Sequence, residues 1–113
     1  MTQLQLALLC RLDAPSVLPD AYIAQCLTYR DAVRLCWSLR RVRLMTTLTL
    51  AETAGFPTHL RSCFLSDDDT KRDLPAKYIR GFEMVAGNTA ISQFIARQAK
   101  LTILEEFQAR ATA

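Results

Sequence analysis

The sequence predicts a small all-α protein, a compact bundle of about six short helices forming one domain over residues 1–113. Apolar residues recur at helical spacing along most of the chain, and no β-branched run alternates with period two. Glycine or proline separates the periodic segments. Half of the residues are apolar (50%), which is enough to form a core without disulfide or metal cross-links.

The first segment, 1–18, allows two interpretations. Leu4, Leu6 and Leu8 alternate as in a strand, whereas Leu4 and Leu8 alone are spaced as in a helix. We favour the helix. Pro19 and Asp20 then predict a helix N-terminus, because proline is favoured in a first turn and an acidic side chain complements the helix dipole.

The cysteines indicate neither a metal site nor a disulfide framework. The four, at positions 10, 26, 36 and 63, form no C-x-x-C pair, and His59 is the single histidine. We interpret them as small apolar residues in a reducing compartment. The apolar run 6–10 is too short for a signal peptide or a membrane span. We therefore expect a cytoplasmic protein with no cofactor, metal or membrane partner.

A second periodic segment predicts an amphipathic helix of about four turns. Trp37 is expected at the edge of the core that this helix faces. Arg30, Arg34 and Arg41 are predicted on the opposite, solvated face. The apolar positions that define the helix are Val33, Leu35, Cys36, Leu39 and Val42.

Positive charge is concentrated in one part of the chain. Residues 30–61 contain six arginines and two acids, a net charge of +4, so the rest carries −1 of the total of +3. A local basic surface attracts phosphate and accelerates encounter with it. This distribution favours nucleic-acid contact, although a solvated helix face that maintains solubility has the same composition.

Residues 47–65 predict two short helices joined by a tight turn. Leu50, Ala51 and Ala54 share one face of the first helix. Gly55 can adopt the left-handed backbone that the turn requires, and Phe56 then enters the core. Pro57-Thr58 begins the second helix with Thr58 as its cap, Leu60, Cys63 and Phe64 are its buried face, and His59, Arg61 and Ser62 point outward.

The remaining sequence predicts a polar connector and three more helices. Residues 66–73 are the connector, and Leu74-Pro75 begins a helix that ends at Gly87. Asn88 or Thr89 caps the next helix. Thr102 and Glu105 predict a capping box that opens a last short helix.

This arrangement resembles the lambda repressor and Cro-type helix-turn-helix family over residues 30–86. Leu50-Ala51, Gly55, apolar Phe56 and Phe64 carry the resemblance. Two positions depart from the family pattern, since Thr47 replaces the usual glutamine and Arg61 replaces a buried aliphatic residue. The resemblance implies a small phage or prophage transcriptional regulator, in most cases a repressor, that binds operator-like double-stranded DNA as a homodimer.

The expected DNA interface has two parts. Thr58, His59, Arg61 and Ser62 would read base edges in the major groove. Phosphates would be contacted by the threonines at the start of the first helix, Thr46, Thr47 and Thr49, and by the basic residues Arg40, Arg41 and Arg43. Residues 88–110 are expected to supply a dimer surface, because one short helix reads too few base pairs for tight binding.

Two other functions fit parts of the same sequence. The fold could serve as a protein-interaction module that binds another regulator or RNA polymerase, with the acidic run Asp67–Asp69 in the contact. A His59–Cys63 pair on one helix face could act as a nucleophile and base. That enzyme is the weaker alternative, because no Gly-rich loop, carboxylate dyad or metal cluster accompanies the pair.

Overall fold

A computed structural model describes residues 14–112, and within them every regular element is helical. The elements are α1 Asp20–Ala24, α2 Tyr29–Ser38, α3 Thr47–Ala54, a 3₁₀ turn Thr58–Leu60 continuing into α4 Arg61–Leu65, a 3₁₀ turn Ala76–Tyr78 continuing into α5 Ile79–Ala86, and α6 Ala90–Thr112. The predicted all-α class is confirmed, as is the number of about six helices. No helix in this part of the chain is long and apolar enough to cross a membrane.

The segment before α1 is not helical. Ser16 donates its N–H to the carbonyl of Gly87 at 3.0 Å and accepts from the N–H of Thr89 at 3.1 Å. The preference for a helix is therefore wrong for residues 14–18, where Pro19 also disfavours helical backbone at Leu18. Positions 1–13 of that prediction, Cys10 among them, lie outside the described residues.

Helix α2 is shorter than predicted. It starts at a capping box in which the Thr28 hydroxyl accepts from the N–H of Asp31, and the Asp31 carboxylate accepts from the N–H of Thr28, both at 3.2 Å. It has 10 residues and ends at Ser38. The expected continuation to Val42 is wrong, and Val42 is an exposed loop residue.

The early end of α2 is caused by tertiary hydrogen bonds. Buried Asn88 donates its side-chain amide to the carbonyls of Cys36 at 3.0 Å and Leu39 at 3.3 Å. Two residues further on, the N–H of Arg41 donates to the carbonyl of Ala86 at 2.8 Å. The chain therefore leaves the helix at the point where it meets the turn between α5 and α6.

Helices α3 and α5 cross closely at small residues. A methyl group added at Gly81 would lie 2.7 Å from the carbonyl oxygen of Ala54, so only glycine allows this approach. Ala51, on the same side of α3, is fully buried. The close approach is therefore between Ala54 of α3 and Gly81 of α5.

One hydrophobic cluster joins all six helices. Trp37 packs against its edge, as predicted, and Cys36 lies inside it as a free thiol. The buried members are Ile23, Ala32, Val33, Cys36, Leu50, Ala51, Phe56, Phe64, Leu74, Phe82, Ala86, Ala90, Ile91 and Phe94.

Helix α6 is one continuous helix of 23 residues. Its beginning is as predicted, because Gly87 ends α5 with a left-handed φ of 91° and the Asn88 side chain accepts from the N–H of Ala90 at 3.2 Å. The predicted new helix at Thr102 is wrong. The Thr102 hydroxyl donates to the carbonyl of Gln98 at 3.0 Å, a bond that threonine makes inside a helix. Every residue from 98 to 111 is exposed.

Candidate nucleic-acid interface

The N-terminus of α3 is capped by Thr46, the first of the three threonines predicted to contact phosphates. The Thr46 hydroxyl accepts from the N–H of Thr49 at 3.2 Å and lies 3.0 Å from the Thr49 hydroxyl. The remaining N–H groups of a first helical turn have no partner within the helix, and they carry the positive end of the helix dipole. Thr47 is half-buried at this end. Thr49 is exposed, with its hydroxyl engaged by Thr46.

A three-residue turn leads from α3 to the second helical segment. Gly55 has a φ of 88°, and its N–H donates to the carbonyl of Ala51 at 2.9 Å. Phe56 is 4% exposed, with its ring centroid 5.4 Å from that of Phe64 and 6.3 Å from that of Phe82. The predicted roles of Gly55 and Phe56 are confirmed. The aromatic contacts fix the second segment relative to both α3 and α5.

The second segment begins as a 3₁₀ turn and ends as α4. Phe64 is buried, and Leu60 and Cys63 pack partly buried against the core. His59 and Ser62 are exposed. The predicted division of this segment into an inward apolar face and an outward polar face is confirmed for these five residues.

Two residues of the segment differ from their predicted roles. Thr58 is not a cap, because Pro57 precedes the 3₁₀ turn and no side chain caps it. The backbone carbonyl of Thr58 accepts a 2.7 Å hydrogen bond from a guanidinium nitrogen of Arg61. Arg61 is therefore half-buried and folded back along the turn, at the position where the resembled family has a buried aliphatic residue.

The three arginines predicted to bind phosphate, Arg40, Arg41 and Arg43, lie in the loop that follows the C-terminal end of α2. The Arg40 guanidinium is 4.2 Å from the centroid of the Trp37 ring and donates to the carbonyls of Trp37 and Arg43. The side chain of Arg41 covers Gly87, where any added Cβ would collide with it. Arg43 is exposed. Arg40 and Arg41 thus have structural contacts within the α2–α3 loop and with the end of α5.

Arg30 is buried, so its predicted place on the solvated face is wrong. Only 6% of it is exposed. Its guanidinium donates to the carbonyls of Cys63 at 2.7 Å, Ser66 at 3.0 Å and Lys71 at 2.6 Å, and forms a 2.8 Å ion pair with Asp73.

Arg30 therefore ties the C-terminal end of α4, and the connector behind it, to α2. Sequence periodicity missed this role because the carbonyls that Arg30 binds lie more than 30 positions along the chain. With Arg30 buried and paired, one of the six arginines of the basic segment does not contribute to the surface.

Sequence reasoning also left out Arg34 as a site residue. This exposed arginine lines a surface groove together with Thr47, at the start of α3, and Leu65, at the end of α4. The groove brings the exposed side of α2 next to the α3 N-terminus. The position of Arg34 in the amphipathic pattern of α2 was the available signal, since the same periodicity that buries Val33 and Cys36 directs Arg34 outward.

The acidic connector is organised by Asp68. Its carboxylate accepts from the N–H of Thr70 at 2.9 Å and from the Thr70 hydroxyl at 2.7 Å. These hydrogen bonds lower the pKa of Asp68, with smaller contributions from Lys71 and Arg30. Asp67 and Asp69 are exposed beside it. The lowered pKa favours the charged form of Asp68, close to the C-terminal end of α4.

The described cysteines have the environment of core residues. Burial raises the pKa of Cys36 well above its usual range, and burial followed by the Asp31 carboxylate raises that of Cys26. Both shifts favour the neutral thiol over the reactive thiolate. Residues 14–112 contain no group of three or more side chains that could hold a metal ion.

Comparison of the chain with known protein families, with curated proteins and with solved structures found no match.

Proposed function

We propose that this protein is a sequence-specific, double-stranded-DNA-binding transcriptional regulator, a repressor of the phage or prophage type, in which α3 and α4 act as a helix-turn-helix. One observation carries the proposal. The segment Thr58–Leu65 follows α3 after a three-residue turn, buries Phe64, and leaves His59 and Ser62 exposed. A short helix held in this way can enter the major groove with its polar side.

The exposed side chains define which bases the segment would read. His59 and Ser62 offer an imidazole and a hydroxyl to base edges. Arg61 uses one of its guanidinium nitrogens on the carbonyl of Thr58. Arginine has five N–H donors, so others remain for the two acceptors of guanine.

Phosphate contact is proposed at the α3 N-terminus. The N–H groups of the first turn and the helix dipole favour an anion there. Arg34 shares a groove with Thr47 at this end and adds a guanidinium. Arg41 and Arg43 are the exposed members of the upstream arginines, and we propose both as further contacts to the DNA backbone.

The function also requires a second subunit. One short recognition helix reads only a few base pairs, whereas a two-fold dimer reads two half-sites about one helical turn apart. We therefore propose a homodimer that binds a palindromic operator.

The test is selection of bound fragments from a random duplex pool, followed by binding measurements on the enriched sequence. His59→Ala and Arg61→Ala should each lose about 1–3 kcal/mol on that sequence and relax its preference. Arg34→Ala, Arg43→Ala and Arg41→Ala should weaken binding to all sequences alike. Arg72→Ala, which removes the same charge from the exposed connector, is the control and should retain sequence preference. A pool that yields no enriched duplex would contradict the proposal.

One observation favours a protein-interaction module as a second candidate. Apolar residues are exposed between α2 and α3 and on α3 itself, with Leu44 at 94%, Leu48 at 44% and Val42 at 41%. Such a patch is typical of a protein contact, for which the partner would be another regulator or RNA polymerase. Salt separates the two candidates, since duplex binding weakens steeply as salt rises and an apolar contact does not.

A further inference from the structure

The exposed half of α6 carries an apolar stripe. Ile95, Ala99, Ile103 and Phe107 follow one another at intervals of four, which places them along one side of the helix. The three large side chains are 45%, 51% and 63% exposed in chain order. Isolated exposed apolar residues are common, but a row of them along a projecting helix indicates an interface.

The same stripe forms one wall of an apolar groove. Between α5 and α6 lies a groove of about 520 Å³ whose floor and walls include Ile79, Met84, Ile95, Ala96 and Ala99. Ile95 and Ala99 therefore belong to both features. Ile103 and Phe107 extend the row beyond Ala99, the last residue of α6 that lines the groove.

We propose that a second copy of this chain covers the groove, with the two α6 helices packed antiparallel about a two-fold axis near residue 101. In this register the partner's Ile103 lies opposite Ala99, and the partner's Phe107 lies opposite Ile95, at the groove. Ile103 then meets a small residue, and Phe107 packs on Ile95 where that side chain lines the groove, so apolar surface is buried along the whole stripe. The two-fold axis repeats both contacts in the other subunit.

Charge complementarity supports the antiparallel direction. Glu105 and Glu106 lie on the exposed half of α6, whereas the groove is lined by exposed Arg80 and by Glu83, which is buried with its carboxylate bound by Ser92. The antiparallel register places Glu106 of one subunit beside the groove of the other, near Arg80. A parallel, in-register pair would bring each glutamate next to its own copy, and like charges at close range are unfavourable.

The first test measures self-association without DNA, so that it succeeds or fails independently of the proposed DNA binding. Sedimentation equilibrium of the full chain should show a reversible dimer. Ile103→Asp and Phe107→Asp should each weaken the dimer by at least about tenfold in Kd. Leu27→Asp makes the same change at a residue that is 83% exposed and lies outside the stripe, and it should leave the dimer intact. A monomer at every concentration, or a dimer that both α6 variants leave unchanged, would overturn the proposal.

A charge exchange tests the register. Arg80→Glu and Glu106→Arg should each weaken their own homodimer, because each creates two like-charge contacts across the axis. An equimolar mixture of the two variants should regain the dimer, since a heterodimer then has two complementary contacts. Only an intermolecular pair is rescued by mixing. A mixture that stays as weakly associated as its components would overturn the antiparallel arrangement, and circular dichroism of each variant checks that it is folded.

Discussion

The chain contains two helix pairs with nearly the same turn and opposite surroundings. In each, an eight-residue helix, α3 or α5, ends at a glycine in the left-handed region, with φ and ψ of 88° and 18° at Gly55 and 91° and 16° at Gly87. Nothing lies within 4 Å of a Cβ added at Gly55, whereas Gly87 is buried beneath Arg41. The same local geometry therefore leaves the α3–α4 turn accessible and encloses the α5–α6 turn.

The difference comes from the residues that follow each glycine. The ring of Phe56 packs among the aromatic side chains of the core, and this contact fixes the position of α4. The polar side of Thr58–Leu65 stays exposed. Asn88 has partners in α2, in the loop after it and in α6, so its turn is enclosed by other parts of the chain. The residues of the turn determine that the two helices of a pair pack at an angle. The contacts around the turn determine whether the second helix of the pair is accessible to a binding partner.

The largest effect is expected where the first pair is anchored. Arg30→Ala removes the donor of three carbonyl hydrogen bonds behind α4 and should lower the free energy of unfolding by about 3–4 kcal/mol. Urea denaturation measures this loss. Arg34→Ala removes an exposed arginine from the same helix and should change stability by less than about 0.5 kcal/mol. Equal losses in both variants would contradict the structural role of Arg30.

The second-largest loss of unfolding free energy is expected at Asn88, which anchors the α5–α6 turn. Asn88→Ala leaves the carbonyls of Cys36 and Leu39 without their side-chain donor in a buried site. We expect a loss of about 2–3 kcal/mol by urea denaturation. Ser62→Ala, in the exposed segment of the first pair, is the control and should stay within about 0.5 kcal/mol of the parent. A loss at Asn88 as small as that at Ser62 would contradict the claim that the hydrogen bonds of Asn88 hold the α5–α6 turn in place.

The glycines themselves provide the most direct test of that contrast. Gly55→Ala should lower the free energy of unfolding by about 1–2 kcal/mol, because a residue with a Cβ is strained in the left-handed backbone region. Gly87→Ala should cost more in thermal or urea unfolding, because its methyl group also displaces the Arg41 side chain.

Combining Gly87→Ala with Arg41→Ala separates the two contributions. In that background the cost of the glycine substitution should fall to the level seen at Gly55, since the collision is gone and only the backbone strain remains. If Gly87→Ala costs the same with and without Arg41, the arginine does not constrain the turn.

Signals within a few residues predicted much of the first helix pair. The N-terminus of α3, the left-handed Gly55, buried Phe56 and the outward His59 and Ser62 all follow from capping, turn and periodicity rules that operate within about one helical turn. The left-handed end of α5 at Gly87 is predictable for the same reason. These are also the features that define the candidate interface.

The features that could not be predicted depend on distant parts of the chain. Arg30 has the spacing of a surface residue, and its burial becomes favourable through distant partners, the carbonyls of Cys63, Ser66 and Lys71 and the carboxylate of Asp73. Helix α2 ends at Ser38, where the Asn88 side chain donates hydrogen bonds to the carbonyl of Cys36 in the last turn and to the carbonyl of Leu39 just after it. Thr102 has the sequence of a cap, but its hydroxyl bonds within a continuing helix.

The smallest expected effect concerns the link between the two helix pairs. The Tyr29 hydroxyl donates to the carbonyl of Leu74 at 2.7 Å, where the connector from α4 reaches α5. Burial, and then the carboxylates of Asp73 and Glu83, raise the pKa of Tyr29 to about 12. Tyr29→Phe should lower stability by about 1 kcal/mol at neutral pH through loss of the hydrogen bond.

The pH dependence of this variant identifies the phenol as the cause. A tyrosine in the unfolded chain ionises near pH 10, below its pKa in the fold, so the unfolded state loses its proton first. The stabilisation from Tyr29 is therefore complete below about pH 10 and is lost as the pH rises towards 12. Urea denaturation at neutral pH and above pH 10 should show the parent losing more stability than Tyr29→Phe over this interval. Parallel curves would mean that the Tyr29–Leu74 hydrogen bond does not tie the connector to α2.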